Sequence, residues 1–477
     1  ANVARPKYDR TKVTPGILHF GVGAFHRSHQ ALTIDRLLTK GLANDWGIIG
    51  VGLLPNDFKM RDALIPQDCL YTLITKHADG NFEYQVIGSI IDYLFAPDSP
   101  AKVIEKICDP AIRIISLTIT EGGYSFDRVT GEFDPTTAGV AADLKDSTNP
   151  VSAFGFIYEG LKKRRVLGVA APTIQSCDNI QGNGDVAKKM MVAFAKLKDP
   201  EFATWMQENV AFPNAMVDRI TPVTAPADIE LAAKAIGFED KWPVPCESFF
   251  QWVIEDHFPL GRPPFEEEFV QMVEDVIPYE LMKLRLLNAS HQALCYFGRL
   301  SNYTYAHEVL ADPLIEKLLR RYMDEEATPT LAPVPGVDLA FYKNQLIERF
   351  SNPQVLDTVA RLAAESSDRI PKWLVPVIRE NLANGGQVKL SAAVVASWAR
   401  YDEGIDELGN PINVVDPLKD ELMAIAAKQN ENPKAFIENQ KLFGDLASDA
   451  RFTEPYLATL DSLHKVGAQK TLAQLLK

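Results

Sequence analysis

The chain is poor in anything that would staple it covalently or hold it in a membrane. Its five cysteines, Cys69, Cys108, Cys177, Cys246 and Cys295, are an odd number without a C-x-x-C pair. That argues against a disulfide framework and a cysteine-based zinc site, and for a reducing, cytoplasmic setting. No apolar run approaches 18 residues, so no membrane span is expected. The opening segment ANVARPKYDR lacks the apolar stretch of a signal peptide. Positive charge is in deficit: 49 Lys and Arg stand against 63 Asp and Glu, a formal net charge of −14. A nucleic-acid partner needs a basic surface, and an anionic membrane attracts one, so neither is expected. H-E-x-x-H is missing, as is any clustered Cys/His ligand spacing, so no metal is expected. His26 and His29 are three apart but sit at a glycine turn and are not read as ligands. Solenoid repeats and low-complexity tracts are also absent.

What is present is an ordinary globular composition, 46% hydrophobic and 23% charged, over 477 residues. That length predicts two to three domains. GILHFGVG (16–23) reads as a buried strand running into a turn. Apolar residues at helical spacing follow from about His29 to Leu38, and WGIIGVGLL (46–54) is a second strand, completing a βαβ unit. CLYTLIT (69–75) and FEYQVIG (82–88), either side of ADGN, predict a hairpin. IRIISLTIT (112–120) predicts another buried strand. Strands alternating with helices favour a mostly parallel sheet covered on both faces. From about residue 280 the pattern turns helical, with proline-rich joints such as TPTLAPVPGV (328–337). The expected fold is therefore α/β: a Rossmann-type dinucleotide-binding domain over 1–280 and a mainly α-helical domain over 281–477. No dimer face is evident in the helical half, and a monomer is compatible with it.

Gly21 and Gly23 lie between the first strand and the helix, where a dinucleotide-binding turn needs one glycine for the bend and one for close approach of a pyrophosphate. The run is GVGAFHR, without the third glycine of G-x-G-x-x-G. Asp57 lies just beyond the second strand. It either bonds an adenosine ribose, which favours NAD over NADP, or is an acid at a helix start in NDFKMRDAL.

ELMKLRLLNASHQAL places Lys283, Asn288 and His291 on one helix. At about 100° per residue, Asn288 lies roughly 140° and His291 roughly 80° around from Lys283. The helix is apolar nearly all round and should be buried, so the pKa of the lysine should fall and make it a usable base. The alternative is a lysine snorkelling to the surface. Oxidation of an alcohol needs a base, donors for the developing alkoxide and a hydride acceptor. Tyr158 and Lys162 form Y-x-x-x-K, but without the glycine pattern of the short-chain class this spacing is read as chance.

The motifs GVGAFHR (21–27), TITEGGY (118–124), SCDNIQGNG (176–184), VAFPNAMVDRITP (210–222) and KLRLLNASH (283–291) together resemble the polyol-specific long-chain dehydrogenases. The resemblance covers essentially the whole chain. It implies a metal-independent, NAD-dependent enzyme whose substrate lies in the cleft between the two domains. The implied reaction is reversible oxidation of a secondary alcohol, D-mannitol to D-fructose or a similar polyol such as D-arabinitol or D-glucitol.

By the resemblance Lys283 is the general base, and the carboxamides of Asn179 and Asn288 flank the alkoxide. His291 orients substrate or the lysine. Asp218 binds substrate hydroxyls, and Arg361 and Arg369 contact distal ones; the family usually has Lys at the latter position. Gly21, Gly23, Phe25, His26, Arg27, Asp57, Thr120 and Glu121 are the cofactor-side candidates. On residues alone, Asn179 reads as a turn residue, Asp218 as a partner of Arg219 or a turn acid, and Thr120 and Glu121 as polar residues ending a strand. Two rivals stay open: a hexuronate reductase interconverting mannonate and fructuronate, with Arg361 and Arg369 on the substrate carboxylate, and a redox-sensing NAD-binding protein without turnover.

Overall fold

Runs of β-branched and aromatic residues with few polar positions suit strands buried on both faces, and they build the centre of the first unit. The structure, a computed structural model, describes residues 3–127 and 130–477. The first two residues of the ANVARPKYDR segment lie outside the described residues. The chain divides into two units, Ala1–Ile277 and Pro278–Lys477.

In the first unit the strands are β1 (Pro15–Phe20), β2 (Gly47–Gly52), β3 (Tyr71–Lys76), β4 (Phe82–Ile87), β5 (Ile90–Phe95) and β6 (Ile114–Leu117). They continue with β7 (Thr173–Ser176), β8 (Ala215–Asp218), β9 (Val244–Glu247), β10 (Gln251–Glu255) and β11 (Gln271–Val273). Five of them form a parallel sheet in the order β5-β2-β1-β6-β7. Its central register sets Ile17 against Ile48 on one side and Ile114 on the other. This is the strand order of a dinucleotide-binding half, and it reverses between β1 and β6. A ligand crevice is expected at the carboxyl ends of those two strands. One face of the sheet packs Leu18, Phe20, Ile115 and Leu117 against Phe156, Ile157 and Phe194. The other packs Ile17, Ile48 and Ile114 with Leu32, Leu37 and Trp46. Burial at about 25 cal/mol per Å2 of apolar surface makes these two layers the main stabilising term.

The hairpin read at 69–88 is β3–β4, antiparallel with Leu73 opposite Gln85, and it is extended by β9 in parallel. Strand β10 pairs β8 antiparallel and β11 in parallel. The strand expected over 112–120 is shorter. It ends at Leu117, because the amides of Ile119 and Thr120 turn away to bond a side chain.

In the second unit every regular segment among the described residues is helical. Lys389–Tyr401 is buried from Leu390 onward and packs on Ala450–Leu475 and Ala289–Leu300. Among the described residues, no helix is long and apolar enough to cross a membrane.

Candidate active site

The turn after β1 is built by sterics. Gly21 has φ +90°, and a Cβ there would lie 2.0 Å from the Thr118 carbonyl oxygen at the end of β6. Only glycine fits both the conformation and the approach. Gly23 differs: a Cβ would meet nothing within 4 Å, so its backbone faces open space where a ligand can come close. The turn is braced from beneath. His19 shares its ring nitrogens with Ser116 (2.6 Å) and Thr118 (2.8 Å), and its ring stacks on His26 at 3.4 Å between centroids. Burial lowers the pKa of both imidazoles, His19 to about 3, so the stacked pair is neutral. Arg27 is fully buried, donates to the Trp242 carbonyl and lies over the Tyr71 ring. His26 and Arg27 thus hold the turn from inside the fold, whereas Phe25 is half-buried against His29. His29 donates to the Gln251 carbonyl (2.9 Å). No group of three or more metal-ligating side chains is assembled among the described residues.

Asp57 occupies a short turn after β2 and accepts from the amides of Leu53 and Leu54, both at 2.8 Å through one oxygen. The carboxylate therefore orders the end of β2. Thr120 has φ +64° and is exposed, and Glu121 opens a short 3-10 turn. Both were expected to end a strand; instead they follow it on a strained link. The strain is held by Asp178, which accepts from Ile119 N (3.0 Å), Thr120 N (2.9 Å) and the Tyr124 hydroxyl (2.6 Å). Burial pushes the Asp178 carboxyl up to about 6 despite these bonds. Asp178 and Tyr124 escaped the sequence reading. The only sign was an acid beside Asn179, and nothing in CDN says which of the two is buried. Asn179 itself is exposed, directly after the clamp.

The other motifs of this unit hold the frame. Asn183 is fully buried, donates to the carbonyls of Ser176 (3.3 Å) and Asp178 (3.1 Å), and accepts from Ala215 N. It ties β7 to β8. Arg219 donates to the carbonyls of Glu247 (3.0 Å) and Ser28 (2.6 Å), joining β8 to the helix of the glycine turn. Asp218, the last residue of β8, is buried. Lys162 bonds Tyr158 (3.2 Å) and pairs with Asp199 on an outer helix, so Y-x-x-x-K is structural here.

In the second unit, Ile277–Met282, Lys283–Asn288 and Ala289–Leu300 form one helix in three parts. The middle part is a wide turn with i→i+5 bonds: Ala289 N–H goes to the Leu284 carbonyl, five back. The 140° separation expected for a regular helix therefore does not hold. A five-residue repeat brings Asn288 back over Lys283, so the two share a face more closely than the sequence suggested. Lys283, Asn288 and His291 are all at least nine-tenths buried. Asn288 Oδ1, His291 Nε2 and Ser290 Oγ are buried without a hydrogen-bond partner. Buried polar atoms without a partner call for an explanation, and the polar atoms of a ligand would satisfy those of Asn288 and His291, three residues apart on the helix. Ser290 was not anticipated.

His291 packs on Phe350 at 4.7 Å between centroids. Burial lowers its pKa to about 3, with Asp357 opposing and Arg361, Arg349 and Arg369 reinforcing. Arg361 and Arg369 are thus both electrostatic neighbours of His291. Each already has partners: Arg361 makes two bonds to Asp357 (2.5 and 2.7 Å), and Arg369 donates to the carbonyls of Arg361 (3.2 Å) and Leu362 (3.0 Å).

Residues 15–267 match the model of the mannitol dehydrogenase Rossmann domain, and 275–464 that of the mannitol dehydrogenase C-terminal domain. A mannitol 2-dehydrogenase of Aspergillus fumigatus is 45% identical, covering 99% of this chain and 95% of its own. The mannitol 2-dehydrogenase of Pseudomonas fluorescens, solved as a ternary complex with NAD and D-mannitol, superposes with a TM-score of 0.90 at 43% identity, over 99% of this chain and 96% of that one. A D-sorbitol dehydrogenase solved without substrate gives 0.91 at 36%, over 99% and 98%. With both of its units matched and relatives this similar along its whole length, the chain belongs to the mannitol dehydrogenase family.

Proposed function

We propose that the protein is an NAD-dependent polyol dehydrogenase that oxidises D-mannitol, or a similar polyol such as D-arabinitol or D-glucitol, at a secondary alcohol, with Lys283 as general base. The observation that carries this reading is the buried i→i+5 turn, with Lys283 and Asn288 on one face and unpartnered polar atoms on Asn288 and His291. The relatives, one of them holding NAD and D-mannitol, supply the substrate class and the cofactor.

The first unit fits the cofactor. Gly23 offers open backbone for a pyrophosphate at the strand-order reversal, and Asp57 stands at the end of β2 on the ribose side. Phe25, Thr120 and Glu121 line the same strand ends, while His26 and Arg27 act from beneath. NAD, when bound, supplies the ring that accepts the hydride.

In its neutral form the Lys283 amine takes the hydroxyl proton, becoming an ammonium as the alkoxide forms. The amide groups of Asn288 and Asn179 donate to that oxygen, where charge develops, a contribution of about 3 kcal/mol per donor. His291, neutral because it is buried, offers one ring nitrogen to a substrate hydroxyl. Asp218 accepts from another hydroxyl, and Arg361 and Arg369 donate toward the far end. Arg361 is already matched by Asp357. A hexuronate carboxylate would have to displace that partner, which favours a neutral polyol.

The test is a substrate panel with NAD and NADP. NADH formation with D-mannitol, D-arabinitol or D-glucitol is expected, and little reduction of fructuronate. Preferred reduction of fructuronate would replace the polyol by the hexuronate. Cofactor binding without turnover on any of them would make the protein a redox sensor.

A further inference from the structure

The wide turn at Lys283–Asn288 creates a defect that the fold must repair. When Ala289 N–H bonds to the Leu284 carbonyl instead of the one four residues back, the Arg285 carbonyl is the acceptor passed over. It lies in the buried part of the helix, where an unpaired carbonyl is costly. The structure fills it from outside the helix: the Tyr322 hydroxyl donates to the Arg285 carbonyl at 2.9 Å, with both groups buried. Burial and the neighbouring Glu326 hold the Tyr322 hydroxyl protonated, so it remains a donor.

Tyr322 is itself anchored. It opens a second i→i+5 turn, Tyr322–Ala327. Glu326 in that turn accepts from the amides of Leu390 (2.7 Å) and Ser391 (2.8 Å) at the start of the buried helix Lys389–Tyr401. A second tie runs back from the same residue of the first turn: the Arg285 guanidinium donates to the Thr330 carbonyl (2.8 Å) and to Glu380 (2.7 Å). Arg285 is therefore held at both ends, by its carbonyl and by its side chain.

We infer that Tyr322 is a positioning residue: its hydroxyl maintains the i→i+5 turn that aligns Lys283 with Asn288. It touches neither substrate nor cofactor and acts through the backbone of the turn. This rests on the reading of Lys283 as base. Without the hydroxyl, the skipped carbonyl is best satisfied by returning Ala289 N–H to it, which rewinds the turn to a regular helix and swings Asn288 away from Lys283.

The experiment compares wild type, Tyr322→Phe and Glu380→Gln with the same polyol and NAD. The Phe variant removes one oxygen and keeps the ring. Glu380→Gln loosens the outer tie at a partly exposed site and keeps the variant set informative if the buried change impairs folding. Tyr322→Phe is expected to lower kcat about tenfold or more, as small displacements of reacting groups do. The solvent deuterium isotope effect should rise as proton removal slows, and NADH affinity should be unchanged. Glu380→Gln should lower kcat about twofold in the same pattern, as a charge-assisted bond at a partly exposed site would. Amides 284–289 should exchange hydrogen with altered protection in both variants. Wild-type kcat and isotope effect in a folded Tyr322→Phe, or in Glu380→Gln should the first not fold, would overturn the inference. Failure of the base reading looks different: Lys283→Met would then turn over normally, whatever Tyr322 does.

Discussion

The two units bring polar groups to their sites by opposite backbone devices. In the first, a glycine turn and a strained threonine stand at the ends of parallel strands, and buried side chains clamp them: His19 and Arg27 under the turn, Asp178 under Thr120. In the second, one helix widens by a residue and the cost is met by a tyrosine from another helix. The sheet unit fixes backbone that a cofactor can approach. The helical unit fixes side chains that can exchange a proton. Rigid scaffold with local irregularity is common to both, and the proposed function places the chemistry at the irregularity.

The largest effect should come from the helical unit. Lys283→Ala is expected to lower turnover by about a thousandfold or more while NADH binding is kept, measured by steady-state rates and fluorescence titration. Retained turnover would remove the proton-transfer role from this helix and leave only the sheet unit with a function. Gly21→Ala should be the severest change in the sheet unit. Its Cβ meets the Thr118 carbonyl at 2.0 Å in a left-handed conformation, so a loss of about 3 kcal/mol or more is expected. A thermal melt and NADH titration would read it, and a Gly21→Ala variant as stable as wild type would contradict the steric account of the turn.

Asp57→Ala should be milder. KM for NAD should rise about tenfold, the value of one charge-assisted hydrogen bond, with less change for NADP. An equal change for both cofactors would mean that Asp57 only orders the end of β2. The smallest effect is expected for Asp178→Asn and lies in its pH dependence. The folded carboxyl titrates at about 6, above its ordinary 3.8. Its contribution to stability is therefore full below about pH 4 and is lost as pH rises through 6. The Tm advantage of wild type over Asp178→Asn should shrink by a few degrees between pH 4 and pH 7. A constant gap would place the titration elsewhere.

The centre of the parallel sheet, β1, β2 and β6, was legible because GILHFGVG and WGIIGVGLL are long buried runs punctuated by glycine, and glycine at Gly21 answers to a backbone conformation; its outer strands β5 and β7 were not read. Strands β8 to β11 were not, since three to five residues within mixed segments carry too little periodicity to separate strand from loop. The i→i+5 turn was invisible for a different reason. KLRLLNASH is an ordinary helical pattern, and the residue that repairs the widened turn lies 37 positions from the carbonyl it serves. Lys283, Asn288 and His291 were singled out by spacing and resemblance together, and in the inference drawn above their alignment depends on that distant hydroxyl. Asp178 was hidden because burial of one acid in CDN is decided by tertiary packing alone.

The central claim is direct transfer of hydride from a secondary polyol carbon to NAD. Incubation with D-mannitol deuterated at C2, followed by mass analysis of both products, tests it in one step. Because C2 and C5 of D-mannitol are equivalent by symmetry, the account predicts the deuterium divided between NADH and C5 of D-fructose, each D-fructose being unlabelled when its NADH carries the label. Deuterium released to solvent, or no NADH from any polyol, would contradict it.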